Sequence, residues 1–120
     1  MSENVLREKS YKFALRVVKL YQHLSNDKHE YVMSKQVLRS GTSVGANIEE
    51  AGQAQSKPDF IHKLSIAQKE SFETNYWIRL LRDSDLLASK LADSLLTDCA
   101  ELQKLLTASI KTAKQNLAKR

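Results

Sequence analysis

The 120-residue chain has one Cys, one Pro and three Gly, and aromatic residues make up only 7% of it. A single Cys excludes a disulfide framework and a four-Cys zinc site, and suits a reducing compartment. With so few Gly and Pro, the chain lacks the turn residues of an all-β sandwich or barrel. No run approaches the ~18 apolar residues of a transmembrane helix, so no membrane is expected. Met1–Arg7 carries no apolar stretch of the signal-peptide kind. The expectation is a cytoplasmic helical protein, with residues 1–120 forming one domain of ordinary size.

Hydrophobic residues make up 42% and charged residues 28%. Nineteen Lys and Arg against fourteen Asp and Glu give a net charge of +5, with an isoelectric point near 9.4. The excess lies at the ends. Residues 1–47 hold eight bases and four acids, and no acid follows Glu101. Basic ends on a compact domain attract anionic partners, RNA or DNA in the usual case; the alternative is a solvated surface.

Apolar periodicity predicts four helices. The first, about Val5 to Leu24, places Leu6, Phe13, Val17, Leu20, Tyr21 and Leu24 on one face. Lys9, Lys12, Arg16, Lys19 and His23 recur three and four apart on the other, followed by Ser25-Asn26-Asp27 as a stop. The second helix is expected from Lys28–Glu30 to Gln55, with Met33, Val37, Ser40, Val44, Ile48, Ala51 and Gln55 inside. Gly41, Gly45 and Gly52 form a neighbouring stripe. Each interior Gly costs up to ~1 kcal/mol against Ala, so close approach of another helix is inferred there. A break near Gly41-Thr42-Ser43 is the competing reading.

Ser56-Lys57-Pro58-Asp59 reads as a capped start for the third helix, which runs to about Arg82. Its inner stripe is Phe60, Leu64, Ala67, Ser71 and Ile78. Ile66, Trp77 and Leu80 lie on another side, and Ile61, Phe72 and Tyr76 on a third. Three companions cannot enclose a helix that is apolar nearly all round, so contact with a second subunit is expected through Tyr76 and Trp77. The fourth helix, from Asp85 or Ser89 to Leu117, carries Leu95, Cys99, Leu102, Leu106, Ser109, Ala113 and Leu117 as a seam. Lys104, Lys111 and Lys114 occupy its far side. Short connections make the whole an antiparallel up-down-up-down four-helix bundle, all-α.

Four kinds of chemistry could be carried on helices of this composition. A di-metal centre needs two Glu-x-x-His pairs and two further inward Glu; only Asp59-x-x-His62 occurs, so no metal or other cofactor is expected. Gly41-Thr42-Ser43-Val44-Gly45 lacks the ending of a phosphate loop, and no Ser sits in a nucleophile elbow. Arg16 and His23, seven apart, could move protons and hold phosphate charge in a metal-independent ribonuclease; this is the enzymatic alternative to an expectation of no catalytic residues. Arg39, Ser43, Asn47 and Glu50 line one edge of the second helix, and Glu70 and Glu73 lie on the third. An inter-helix or inter-subunit hydrogen-bond network is the favoured reading of that edge, a binding site the other.

The stretch Arg39-Ser40-Gly41-Thr42-Ser43-Val44-Gly45-Ala46-Asn47-Ile48-Glu49-Glu50 resembles the signature of the bacterial four helix bundle protein family, first described as encoded in intervening sequences of 23S ribosomal RNA genes. Ser56-Lys57-Pro58-Asp59-Phe60-Ile61-His62-Lys63-Leu64 and the following Ile66–Leu81 resemble its second signature, and the likeness covers roughly residues 10–115. Ala51 stands where many members have Gly. The resemblance implies a bundle assembling into a ring, a homopentamer in relatives. It also implies a distant likeness to the basic accessory protein of diversity-generating retroelements, which binds nucleic acid and a protein partner. It implies no enzyme. The expected phosphate-contacting residues are Lys9, Lys12, Arg16 and Lys19 on the first helix and Lys111, Lys114, Lys119 and Arg120 on the fourth, binding with little sequence preference because no aromatics interleave with them.

Overall fold

A computed structural model describes residues 2–119, with side chains from Asn4 onward; Arg120 lies outside the described residues. Four helices follow one another: α1 Ser2–Asn26, α2 Met33–Ala51, α3 Lys57–Asp83 and α4 Ser89–Ala118. Each packs against its neighbour in sequence, and α1 closes the square against α4. Among the described residues the backbones of the diagonal pairs α1/α3 and α2/α4 do not approach one another. The bundle measures 52 × 22 × 19 Å.

Most of the core is the set that helical periodicity predicts, but Tyr21, Met33, Phe60, Ser109, Ala113 and Leu117 are only partly buried, and Leu81, Leu87, Ala92 and Ile110 join the core unforeseen. Leu6, Phe13, Val17, Leu20 and Leu24 of α1 face Val37, Val44 and Ile48 of α2, Leu64, Ala67, Ile78 and Leu81 of α3, and Leu95, Cys99, Leu102 and Leu106 of α4. No helix is long and apolar enough to cross a membrane. Ser56 caps α3 as expected, its hydroxyl accepting from Asp59 N at 3.2 Å with Pro58 in the first turn.

The second helix is shorter than its periodicity suggests. His29 adopts a left-handed backbone (φ 54°), which no helix can continue through. Glu30 then turns back, its N–H reaching Leu24 O at 2.9 Å. Its carboxylate accepts from the N–H groups of Val32, Met33 and Ser34 at 3.2, 3.1 and 2.7 Å. It supplies the cap that Val32 lacks a side chain to make. At the other end α2 stops at Ala51, so Gln55 is exposed loop rather than core. The fourth helix starts at Ser89, not Asp85. Asp85 (φ 61°) sits just past α3, with Leu86 N–H bonding Leu81 O at 3.0 Å and its own N–H bonding Arg82 O at 3.1 Å. This is the left-handed C-terminal motif that usually takes Gly.

Two of the three glycines do bring helices together. A Cβ on Gly41 would lie 2.7 and 2.8 Å from the Val17 methyls, and one on Gly45 would lie 3.4 Å from Ser10 O. Gly52 ends the helix and touches only its own turn. α2 runs unbroken through Gly41-Thr42-Ser43.

Candidate nucleic-acid interface

The cation stripe on α1 exists as spaced, but it is not bare. Lys9 Nζ lies 3.3 Å from Glu101 Oε1, and Arg16 Nη1 lies 2.6 Å from Asp98 Oδ2, while Arg16 Nη2 donates to Ser94 Oγ at 3.0 Å. The flank of α1 that carries the cations therefore faces the acidic flank of α4. Of the expected phosphate contacts on α1, Arg16 is half-buried in an ion pair rather than free in solvent. Lys12 and Lys19 are exposed, and neither forms an ion pair among the described residues. His23 Nδ1 lies 2.8 Å from Asp27 Oδ2. Each member of the Arg16/His23 pair thus has its own carboxylate.

Lys111 and Lys114 are exposed in the C-terminal part of α4 and Lys119 just past its end, where no acid follows Glu101. Lys57 and Lys104, absent from the expected set, are exposed as well.

On the α2/α3 edge, three of the six expected network residues, Arg39, Glu70 and Glu73, come together, and Trp77, expected at a subunit contact, joins them. Arg39 Nη1 donates to Glu70 Oε1 at 3.2 Å, and its Nη2 pairs with Glu73. Trp77 Nε1 donates to the same Glu73 carboxylate at 2.9 Å. Tyr76 leans edge-on against Trp77, with ring centres 5.1 Å apart, and stays 49% exposed. Ser43 and Asn47 do not join this network. Their side chains donate to backbone carbonyls one turn back, Arg39 O and Ser43 O, because a short polar side chain mid-helix reaches its own carbonyl ladder first. Glu50 pairs with Lys63 at 3.0 Å, which raises the Lys63 ammonium above its ordinary value. The sequence reading missed the buried hydrogen bond from Thr74 Oγ1 to Ser40 Oγ (2.9 Å) between the same two helices. Both residues sit at inner-face spacing, which is the signal that could have shown it.

Where α2 ends and α3 begins lies an open cleft of about 430 Å³, floored by Ala51, Phe60 and Ala113 and rimmed by Ser56, Lys57 and Asn116. Lys57 is the one charged group in its lining. Among the described residues no group of three or more His, Cys, Asp or Glu side chains is placed to hold a metal ion.

The family profile for the 23S rRNA-intervening sequence protein matches residues 2–108. The chain belongs to this family. A solved structure from Bacteroides thetaiotaomicron VPI-5482, a protein with unknown function from the S23 ribosomal protein family, superposes with a TM-score of 0.91 at 52% identity. The alignment covers 92% of this chain and 99% of that one. No protein of curated function matches. In this family member the signature stretch Arg39–Glu50 has two tasks. Gly41 and Gly45 admit α1, and Ser40 and Arg39 tie α2 to α3.

Proposed function

We propose that the chain is a non-enzymatic cytoplasmic module that assembles into a homo-oligomeric ring and binds RNA or DNA through its phosphates, presenting that nucleic acid to a protein partner. One observation carries the nucleic-acid reading. The acids of the chain are largely absorbed in ion pairs, while Lys12, Lys19, Lys104, Lys111 and Lys114 remain exposed and in no ion pair among the described residues. The surplus of +5 is therefore outward-facing charge, and repetition around a ring multiplies its field and adds avidity.

Assembly is supported by apolar side chains left in water on diagonal helices. Tyr11, Leu15 and Val18 are 64%, 50% and 37% exposed on α1, and Tyr76 is exposed on α3 beside Trp77. α1 and α3 lie on opposite sides of the bundle, so a contact between these patches joins unlike faces, the geometry that closes rings. A pentamer is the ring size implied by the family resemblance.

Light scattering at micromolar concentration, with filter binding of RNA and DNA from about 50 to about 200 mM salt, tests the reading. An oligomer whose binding weakens steeply with salt is expected. A monomer, or an oligomer that retains neither RNA nor DNA, would overturn it. Incubation with RNA in EDTA separates the enzymatic alternative: cleavage that vanishes in His23→Ala would replace binding by catalysis through Arg16 and His23.

A further inference from the structure

Among the described residues the α2/α3 and α1/α4 seams each carry more than one ion pair, and the α1/α2 seam carries one. Arg7 meets Glu49 across α1/α2, Arg39 and Lys63 meet Glu70, Glu73 and Glu50 across α2/α3, and Lys9 and Arg16 meet Glu101 and Asp98 across α1/α4. The α3/α4 seam is, like α1/α2, sparse in charge pairing. Its one ion pair among the described residues, Arg82 with Asp93 at 3.0 Å, lies at the end beside the α3–α4 turn. The rest is held by neutral hydrogen bonds: Gln68 Nε2 to Thr107 Oγ1 at 2.8 Å, and Gln103 Nε2 to Ser71 O at 3.3 Å.

The Gln68–Thr107 bond marks which residues flank this seam. Counting in threes and fours from Gln68 along α3 reaches Lys57, Ile61, Phe72, Asn75 and Arg79; counting from Thr107 along α4 reaches Ala100, Lys104, Lys111 and Lys114. Between these limits neither stripe contains an acid, the next on the α4 stripe being Asp93, which Arg82 holds at 3.0 Å, and all five cations are exposed. Arg79 donates Nε to Asn75 at 2.7 Å, which holds its guanidinium along the stripe. Near the middle stands Phe72, 57% exposed. Lys57 to Arg79 spans about 33 Å at 1.5 Å per residue.

The geometry points to the α3/α4 face as the surface that takes a single-stranded stretch of nucleic acid, phosphates against Lys57, Lys104, Lys111 and Lys114 and a base stacked on Phe72. This rests on the proposed nucleic-acid binding and moves its centre away from α1. The α1 stripe faces Asp98 and Glu101, which repel phosphate; on the α3/α4 face the acids, Asp83 and Asp93, are confined to the end beside the α3–α4 turn, where Arg82 pairs with both. A positively charged track with an aromatic platform is the arrangement that holds single strands without sequence preference. The aromatic missing from the basic stripe as a linear sequence is supplied by the neighbouring helix.

The test uses the full chain and a fluorescent single-stranded RNA of mixed sequence, titrated at several salt concentrations. Lys111→Glu with Lys114→Glu should shrink the slope of log K against log salt by about 1.4, two contacts at about 0.7 each. Phe72→Ala should weaken binding at least about fivefold, Phe72→Trp should restore it, and a fully paired duplex should not respond to either. Circular dichroism and light scattering confirm that each variant keeps the fold and assembly. Lys12→Glu with Lys19→Glu should have the smaller effect. If that α1 variant abolishes binding while the α4 variant does not, nucleic-acid binding stands and this surface is wrong. If Phe72→Ala leaves single-strand affinity unchanged, the stacking contact is wrong. If no variant binds and the wild type does not either, the broader reading fails with it.

Discussion

Gly41→Ala is the substitution for which the structure and intrinsic helix propensity disagree most sharply. Propensity alone favours Ala in the middle of α2 by about 1 kcal/mol. The added Cβ, however, would sit 2.7 and 2.8 Å from the two Val17 methyls and 3.2 Å from Val17 Cβ, where carbon pairs rest at about 3.5–4.0 Å. Val17 is fully buried and, being β-branched in a helix, has essentially one rotamer to use. It cannot swing aside, so α1 and α2 must separate. Overpacking of this kind costs about 1–3 kcal/mol, which leaves Gly41→Ala destabilising by roughly 0–2 kcal/mol. Gly45→Ala meets only ordinary contact with Ser10 O at 3.4 Å, so it should be neutral or stabilising by up to about 1 kcal/mol. Urea denaturation followed by circular dichroism, at one protein concentration because assembly adds to apparent stability, measures both. The decisive arm is the double variant. In a Val17→Ala background the obstruction is gone, and Gly41→Ala should become stabilising, a coupling of about 1–3 kcal/mol. Equal gains from Gly41→Ala and Gly45→Ala in the native background, or no coupling to Val17, would refute the steric argument.

Burial opposes the charge on Glu30, but the N–H groups of Ser34, Met33 and Val32 outweigh it and hold the carboxyl below its ordinary value. The capping energy is therefore present above the ordinary Glu pKa and lost as pH falls through the folded value. Glu30→Gln should cost about 1 kcal/mol near neutral pH, and chemical denaturation across the acid range should show that difference vanishing as pH drops. Burial pushes the Cys99 thiol up to about 12, and the side chain is fully enclosed; a thiol reagent at about pH 8 should label it only once the chain is unfolded. Thr74→Val should destabilise by about 1–2 kcal/mol by leaving the Ser40 hydroxyl buried alone. Adding Ser40→Ala should recover part of that loss, and strict additivity in denaturation would show that the two hydroxyls do not interact.

Helix number, inner faces and antiparallel order were legible because they depend on local periodicity and short connections, which a linear chain displays directly. The capped start at Ser56 and the close approach at Gly41 and Gly45 were legible for the same reason. The limits of α2 were not. They follow from His29 entering the left-handed region and from a Glu30 cap that matches no common capping pattern. On the α2/α3 edge, the Arg39–Glu73 pairing could be anticipated from matched polar spacing on consecutive helices, whereas Ser43 and Asn47 were lost to their own backbone.

The surroundings of the basic stripe were the least legible in the linear sequence. Lys9 and Arg16 meet Glu101 and Asp98 across separations of 92 and 82 residues, which no local pattern reports. Charge composition by itself determined that this chain carries a positive surplus. Only the closing of α1 against α4 decided which cations that surplus comprises. Coulombic attraction falls with distance in space and is indifferent to distance along the chain. Asp98 and Glu101 of α4 are therefore engaged by α1, while Lys104, Lys111 and Lys114 are left to the solvent.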